Sequence, residues 1–364
     1  MNITIIAGAR PNFMKIAPII EAIQAKKHLG FNMDYRLVHT GQHYDKNLSD
    51  TFFKELNIPF PDINLEVKSG TQAEQTAAIM IGFEKELQQN PCDLVMVVGD
   101  VTSTMACAIV AKKAGIDVAH IEAGIRSGDL LMPEEINRIV TDSLTDYFFT
   151  TSSYANENLR SLGVSSDKVF FVGNVMIDTL LKHLPRLEKS RLWDTLKLQE
   201  KKYLVMTLHR PSNVDEENQL KKIIHQIARL GKDYPIIFPV HPRTKKQLQS
   251  LNLKFNNLHY VEPLGYLNFN YLVKNALAVL TDSGGITEET TIMNVPCITL
   301  RNSTERPETC TIGTNVLVGN DSNKIESAFK DLLSDKWKQG QAPELWDGNA
   351  AKRITDSLID IYKL

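Results

Sequence analysis

Short apolar runs rich in β-branched residues alternate along this chain with longer stretches whose apolar positions recur every three to four residues. The first kind of run predicts strands buried on both faces, and the second predicts helices covering them. The alternation therefore reads as β-α-β units in a parallel sheet. In the first half strands are expected at 3–7, 35–39, 94–98, 118–121, 147–150 and 169–172. In the second half they are expected at 203–207, 236–239, 258–261, 278–281 and 297–300. Pro11 is expected to begin the first helical stretch and Pro18 to interrupt it.

Length turns this pattern into two domains, because 364 residues exceed what one core holds, about 250 to 300 residues. The stretch 181–202 is charged, carries Pro185 and shows no strand pattern, so it is expected to join the halves. The predicted fold class is α/β, two Rossmann-like doubly wound domains at 1–180 and 181–349. At the end of the chain Ile354, Leu358, Ile361 and Tyr362 recur at helical spacing. That makes 350–364 a terminal helix expected to pack back on the first domain.

Charge changes the picture only by exclusion. Lys plus Arg number 41 and Asp plus Glu 43, with no long basic block, so no field for nucleic acid or an anionic membrane is expected. An anionic ligand must be held by local groups. No apolar run reaches the roughly 18 to 20 residues of a membrane helix. The first residues read as a strand rather than a signal peptide. Cys92, Cys107, Cys297 and Cys310 are widely spaced and form no Cys-x-x-Cys pair. Reduced thiols and a cytoplasmic location follow as expectations, and no metal-ligand spacing is found.

Open parallel sheets bind ligands beyond the carboxyl ends of their strands, so the polar residues just after each strand are the candidates. In the first half these are Gly8 to Lys15, Gly99-Asp100 and Glu122 to Arg126. In the second they are His209-Arg210, His241-Pro242-Arg243, Asp282 to Gly285 and Arg301. Both sets are expected to face one cleft. Ser283-Gly284-Gly285 opens a helix and offers free N–H groups and a positive helix end to phosphate, with a plain tight turn as the competing reading. Glu289, a turn further on, is suited to ribose hydroxyls or to a solvated face. Walker and Gly-x-Gly-x-x-Gly motifs are absent, which weighs against ATPase and NAD chemistry, and no cofactor is called for. Arg10 and Lys15 suit a departing diphosphate, or else surface salt bridges. Asp100, Glu122 and Glu134 form a set of acids able to divide acid and base roles. They read equally as structural partners of Arg126 and Arg138. His209 is the histidine best placed for chemistry, ahead of His43 and His120, with His120 read as packed.

Taken together, GARPNFMK, TGQHYD, VVGDVTST, HIEAGIRSGDLLMPEEINR, VGNVMIDTL, TLHRPSNVD, LTDSGGITEE and LRNSTERPE stand in an order that resembles the non-hydrolysing UDP-N-acetylglucosamine 2-epimerases. The resemblance implies a glycosyltransferase-B type fold with a central cleft, a UDP-binding second domain, a cytoplasmic homodimer and interconversion of UDP-GlcNAc and UDP-ManNAc for surface polysaccharides. It implies Asp100, Glu122 and Glu134 as catalytic acids and His209 at the diphosphate as a catalytic or leaving-group residue. It places Arg10 and Lys15 on the diphosphate, Ser283, Gly284 and Glu289 on diphosphate and ribose, Phe269 on the uracil and Arg306 as a phosphate clamp. A regulatory site around Gln42 and His43 is a further possibility that some family members raise. The rivals are a hydrolysing relative releasing free ManNAc, a glycosyltransferase, an epimerase of another UDP-2-acetamido sugar and a nucleotide-sugar sensor without turnover.

Overall fold

The computed structural model describes residues 1–41, 55–240, 242–251 and 253–364. Gln42, His43 and His241 lie outside the described residues, as do the side chains of Arg10 and Arg243. The chain forms two compact units. The first comprises Met1–Lys182 and Glu344–Leu364, and the second His183–Pro343.

In the first unit the strands are β1 (Asn2–Ala7), β2 (Asp34–His39), β3 (Ile63–Asn64), β4 (Leu94–Val98), β5 (Asp117–Ile121), β6 (Tyr147–Thr150) and β7 (Val169–Phe171). Helices α1 (Arg10–His28), α2 (Gln72–Gln89), α3 (Thr102–Lys113), α4 (Pro133–Leu144), α5 (Ser153–Ser161) and α6 (Val175–His183) connect them. All strand pairs are parallel, in the order β3-β2-β1-β4-β5-β6-β7. The order reverses between β1 and β4, which opens a crevice past their carboxyl ends.

The second unit repeats the plan with β8 (Leu204–Thr207), β9 (Ile236–Pro239), β10 (Leu258–Val261), β11 (Ala278–Thr281), β12 (Cys297–Thr299) and β13 (Asn315–Leu317). Its sheet runs β10-β9-β8-β11-β12-β13, all parallel, and reverses between β8 and β11. The helices are α7 (Arg191–Thr195), α8 (Pro211–Val214), α9 (Glu217–Leu230), α10 (Pro242–Leu251), α11 (Tyr266–Asn275), α12 (Gly284–Ile292), α13 (Pro307–Thr311) and α14 (Ser322–Leu333). Leu204 and Met206 enter the core on one face of this sheet, and Tyr203 and Val205 the core on the other. Two covered faces require apolar residues at both parities, which is why the strands read as continuous apolar runs. Trp193 of α7 packs edge-on against Tyr203 and Tyr271, so part of the charged 181–202 stretch is anchored in this unit.

Three expectations are corrected. Helix α1 runs uninterrupted through Pro18. Proline lacks the N–H that Met14 O would accept, and the Thr179 hydroxyl donates to that carbonyl instead, at 2.6 Å. The sequence pattern also missed β3 and β13, edge strands of two and three residues that are too short to show periodicity. Finally, several strand ends shift by one residue, β7 stopping at Phe171 and β12 at Thr299.

The terminal helix α15 (Ala350–Tyr362) lies within the first unit. Ile354 and Leu358 are fully buried, and Asp178 of α6 accepts from the N–H groups of Ala350 and Ala351 at its start, at 3.1 and 2.7 Å. Those N–H groups have no partner inside the helix, so a carboxylate there satisfies them and meets the positive helix end.

Candidate active site

The reversal points hold the candidates. In the first unit Asn12 fastens the start of α1 to the sheet. Its Oδ1 accepts from the N–H groups of Gly8 and Ala9, and its Nδ2 donates to Val98 O at 3.0 Å. This directs Lys15, one turn along, to the end of β4. There Lys15 Nζ stands 2.6 Å from Glu122 Oε2, with the two side chains 15% and 4% exposed. Gly99 lies beneath the pair, and a Cβ on it would come within 3.2 Å of Lys15 Nζ and 3.8 Å of Glu122 Oε2. Its φ of +72° also favours glycine, while Glu122 adopts the same left-handed region at φ 71°. A buried non-glycine residue held in that region is a strain that the surrounding structure must impose. Here Phe149 O does so by accepting from the N–H groups of both Glu122 and Ala123.

Asp100 follows Gly99 and is half-buried. Arg138 NH1 donates to its carboxylate and Asn137 Nδ2 to its carbonyl at 2.8 Å. Arg138 also grips Glu135 Oε2 through Nε and NH2, at 2.9 and 2.6 Å. Glu135 in turn accepts from the N–H groups of Ser127 and Gly128. Burial pushes the Glu135 carboxyl up, but those N–H groups and Arg138 outweigh it and leave it below the usual range. Of the two adjacent glutamates, Glu135 is thus the loop fastener, while Glu134 stands in the first turn of α4 and is half-buried.

Helix α4 shows the signal that sequence reasoning passed over. Glu135, Arg138 and Asp142 recur at spacings of three and four and are buried, whereas Ile136 and Ile139 are exposed. The helix turns a charged stripe inward and an apolar stripe outward, the reverse of an ordinary surface helix. Asp142 accepts from Arg126 NH1 at 2.6 Å and from Gly124 N–H at 3.1 Å. Arg126 is therefore taken by Asp142, and Arg138 by Asp100 and Glu135. Of the three candidate acids, Asp100 thus has the structural partner expected in Arg138, whereas Arg126 is held by Asp142 instead.

In the second unit the pairing of Thr281 with Thr207 sets Asp282 beside the segment after β8. Asp282 is fully buried and accepts from the backbone N–H groups of His209 and Arg210 and from Asn213 Nδ2. Its Oδ1 lies 2.8 Å from His209 Nδ1, while the His209 ring is 40% exposed. Burial raises the Asp282 carboxyl, yet His209 and the two N–H donors hold it below its ordinary value. An ionised carboxylate thus fixes the orientation of the imidazole through Nδ1. Asp282 stands after β11 with no local sign of this role, because the pair is 73 residues apart and the strand register joins it.

Ser283 stands at the N-cap position of α12 without a side-chain capping bond, and the first turn opens with Gly284-Gly285. Glu305 reaches this helix start, since a Cβ on Gly284 would come within 3.0 Å of Glu305 Oε1. Arg301 NH2 binds Glu305 at 2.6 Å, and Arg210 NH2 lies 3.7 Å away. Burial opposes ionisation of Glu305, but the two guanidinium groups bring its carboxyl down to about 2. A carboxylate between two arginines at a helix N-terminus shows that this place accommodates an anion.

The remaining candidates are more enclosed. Glu289 is buried and accepts from Tyr266 OH at 2.7 Å and Asn270 Nδ2 at 3.4 Å. Burial raises its carboxyl to about 7 despite those donors. Arg306 is 3% exposed and its Nε donates to Glu288. Phe269 is partly buried on α11 against the core that includes Leu272 and Val273. Among the described residues no group of three or more His, Cys, Asp or Glu side chains is placed to hold a metal. No helix of the described residues is long and apolar enough to cross a membrane.

Comparison with known proteins adds a family. Residues 24–359 match the family model described as UDP-N-acetylglucosamine 2-epimerase. The UDP-N-acetylglucosamine 2-epimerase of Methanocaldococcus jannaschii is 44% identical over 366 residues, covering 97% of this chain and 98% of that protein. A crystal structure of the M. jannaschii enzyme in complex with UDP-GlcNAc and UDP superposes with a TM-score of 0.89 at 42% identity, over 99% of this chain and 100% of that one. The UDP-2,3-diacetamido-2,3-dideoxy-D-glucuronate 2-epimerase of Pseudomonas aeruginosa is 36% identical over 361 residues, covering 98% of this chain and 99% of that protein.

Proposed function

The chain belongs to the UDP-N-acetylglucosamine 2-epimerase family, and from that membership we propose that it interconverts UDP-GlcNAc and UDP-ManNAc without net hydrolysis. The observation that carries this reading is the gathering of acids in one unit: Asp100 after β4, Glu122 after β5 and Glu134 in the first turn of α4. Inverting a carbon needs proton transfer on two faces of the sugar, whereas a glycosyltransferase needs an acceptor instead. The nucleotide falls to the second unit, at the start of α12 with Arg301, Arg210 and the Asp282-oriented His209.

The C2 hydrogen of the sugar is not adjacent to a carbonyl, so a carboxylate removes it only as the C1–O bond breaks. The electron pair of the C2–H bond forms the C1=C2 double bond, UDP leaves with the pair of the C1–O bond, and 2-acetamidoglucal results. Cations and the positive helix end stabilise the departing diphosphate. Protonation of C2 from the opposite face and return of UDP to C1 give the epimer, with no water consumed. The acids are Asp100, Glu122 and Glu134, and His209, Arg10 and Lys15 serve the diphosphate. Ser283, Gly284, Glu289, Phe269 and Arg306 serve the nucleotide.

A second reading, the same C2 chemistry on another UDP-2-acetamido sugar, is favoured by the similarity to the P. aeruginosa diacetamido-glucuronate epimerase. One experiment covers both. Incubation in heavy water should place deuterium at C2 and leave the sugar attached to UDP, with UDP-GlcNAc and the diacetamido-glucuronate compared as substrates. Protium retained at C2 through turnover overturns the mechanism, and free ManNAc plus UDP identifies a hydrolase instead.

We also propose a cytoplasmic homodimer making precursors of surface polysaccharide. Leu130, Leu131, Ile136 and Ile139 are 66%, 93%, 49% and 40% exposed around the start of α4, an apolar face that a second copy would cover. Light scattering should give twice the chain mass, and Leu131→Asp should halve it.

A further inference from the structure

The ring of His120 is fully buried on β5, between two oxygens. Nδ1 lies 2.7 Å from Asp142 Oδ1, and Nε2 lies 2.8 Å from the carbonyl oxygen of Gly99. A carbonyl accepts and never donates, and an ionised carboxylate does the same. Asp142 acts as a carboxylate, its second oxygen being taken by two donors, the Arg126 guanidinium at 2.6 Å and the Gly124 N–H at 3.1 Å. A neutral imidazole carries one N–H and would aim the lone pair of its other nitrogen at one of these oxygens. Only a ring with protons on both nitrogens satisfies both neighbours, and an unsatisfied buried group is costly.

The two oxygens belong to different parts of the site. Gly99 immediately precedes Asp100, and its left-handed backbone fixes where that carbonyl points. Asp142 belongs to α4 and, through its second oxygen, holds Gly124 N–H in the loop after Glu122. The ring therefore joins the β4 loop to the loop after β5 by way of α4. The charged groups on the elements around it include Asp142, Arg138, Glu135 and Glu134 of α4, Asp100 after β4, Asp117 at the start of β5, Glu122 and Arg126 after it, and Lys15 of α1. Its strand neighbours Val97 and Phe148 are apolar.

We infer that His120 is a buried imidazolium and a positioning residue, which sets Asp100 and Glu122 relative to each other by donating to Gly99 O and Asp142 at once. This rests on the reading above that those two acids act on the sugar. His120 itself touches no reacting atom.

The test uses full-length protein with ¹⁵N-labelled histidine and no ligand, the His120 signal being the one lost in His120→Gln. Both ring nitrogens should carry protons under the conditions of the turnover assay, since both face acceptors. One protonated and one bare nitrogen overturns the inference. In His120→Gln the amide cannot donate to both oxygens, so kcat should fall about 100-fold. KM and UDP affinity should stay within about two-fold, because the nucleotide groups are untouched. A wild-type kcat overturns the positioning role. Should that variant not fold, Asp142→Asn replaces it, and a ring signal with two protonated nitrogens in the wild type must then change to the neutral pattern, which also assigns it to His120. The spectrum needs no substrate, so failure of wild-type epimerisation would remove the functional reading while the protonation state is still decided.

Discussion

Lys15 and Glu122, 107 residues apart in the chain, form an ion pair of 2.6 Å over the backbone of Gly99. The pair lies at the carboxyl ends of β1, β4 and β5, where the sheet order reverses. Glu122→Gln keeps the shape and removes the charge, so turnover should collapse while UDP affinity stays within a few-fold. Asp100→Asn and Glu134→Gln should do the same. Lys15→Met removes a cation 2.6 Å from a buried carboxylate and should also destabilise the fold by about 3 kcal/mol or less. Steady-state kinetics, UDP titration and chemical denaturation separate these effects, and wild-type turnover in any acid variant removes that acid from the mechanism.

His209 and Asp282 should divide along a different line. His209 is partly exposed while its partner is fully buried. His209→Gln should fold normally and lose about 100-fold in turnover, the scale of one acid-base group. Asp282→Asn would set an amide against N–H groups that need an acceptor, so it should lower both stability and turnover. Equal melting temperatures for the two variants would contradict the assigned roles.

The hydroxyl of Thr179 substitutes for the hydrogen bond that Pro18 cannot make. Thr179→Val should cost about 1–2 kcal/mol by leaving Met14 O without a donor. Pro18→Ala restores an N–H at that place, so the double variant should recover most of the loss. Additive effects in a denaturation cycle would show that the two sites are not coupled.

Glu289 supplies a pH dependence of stability. Its folded value of about 7 lies above the ordinary 4.5. The unfolded chain therefore ionises first, and stability falls as pH rises from about 4.5 to 7, then levels off. The total is on the order of 3 kcal/mol. Glu289→Gln should abolish this slope, and Tyr266→Phe should extend it to higher pH by removing a donor to the carboxylate. A wild-type slope retained in Glu289→Gln refutes the assignment.

Glu305 should act with the opposite sign. Its carboxyl, brought down to about 2 by Arg301 and Arg210 against its burial, contributes stability that is present above about 4.5 and lost as the medium is acidified towards 2. Acid denaturation of Glu305→Gln should lack that component.

The sequence by itself determined the α/β class and most of the strands, because strands covered on both faces must be apolar throughout and short enough to stand out from the helices. It also determined which polar residues follow those strands. It identified Asp282 but not what it holds, and it offered Arg138 to the acids without showing that Asp100 and Glu135 share it. Only the tertiary structure decided that Glu135 fastens the loop, that Arg306 is buried on Glu288, that Pro18 leaves α1 intact and that β3 and β13 form the edges. The physical reason is range. Periodicity and turn chemistry are properties of neighbouring residues, whereas Lys15 with Glu122, His209 with Asp282 and Thr179 with Met14 meet only after parallel strands have been brought into register. An ion pair or a replaced hydrogen bond leaves no trace in either partner's local sequence.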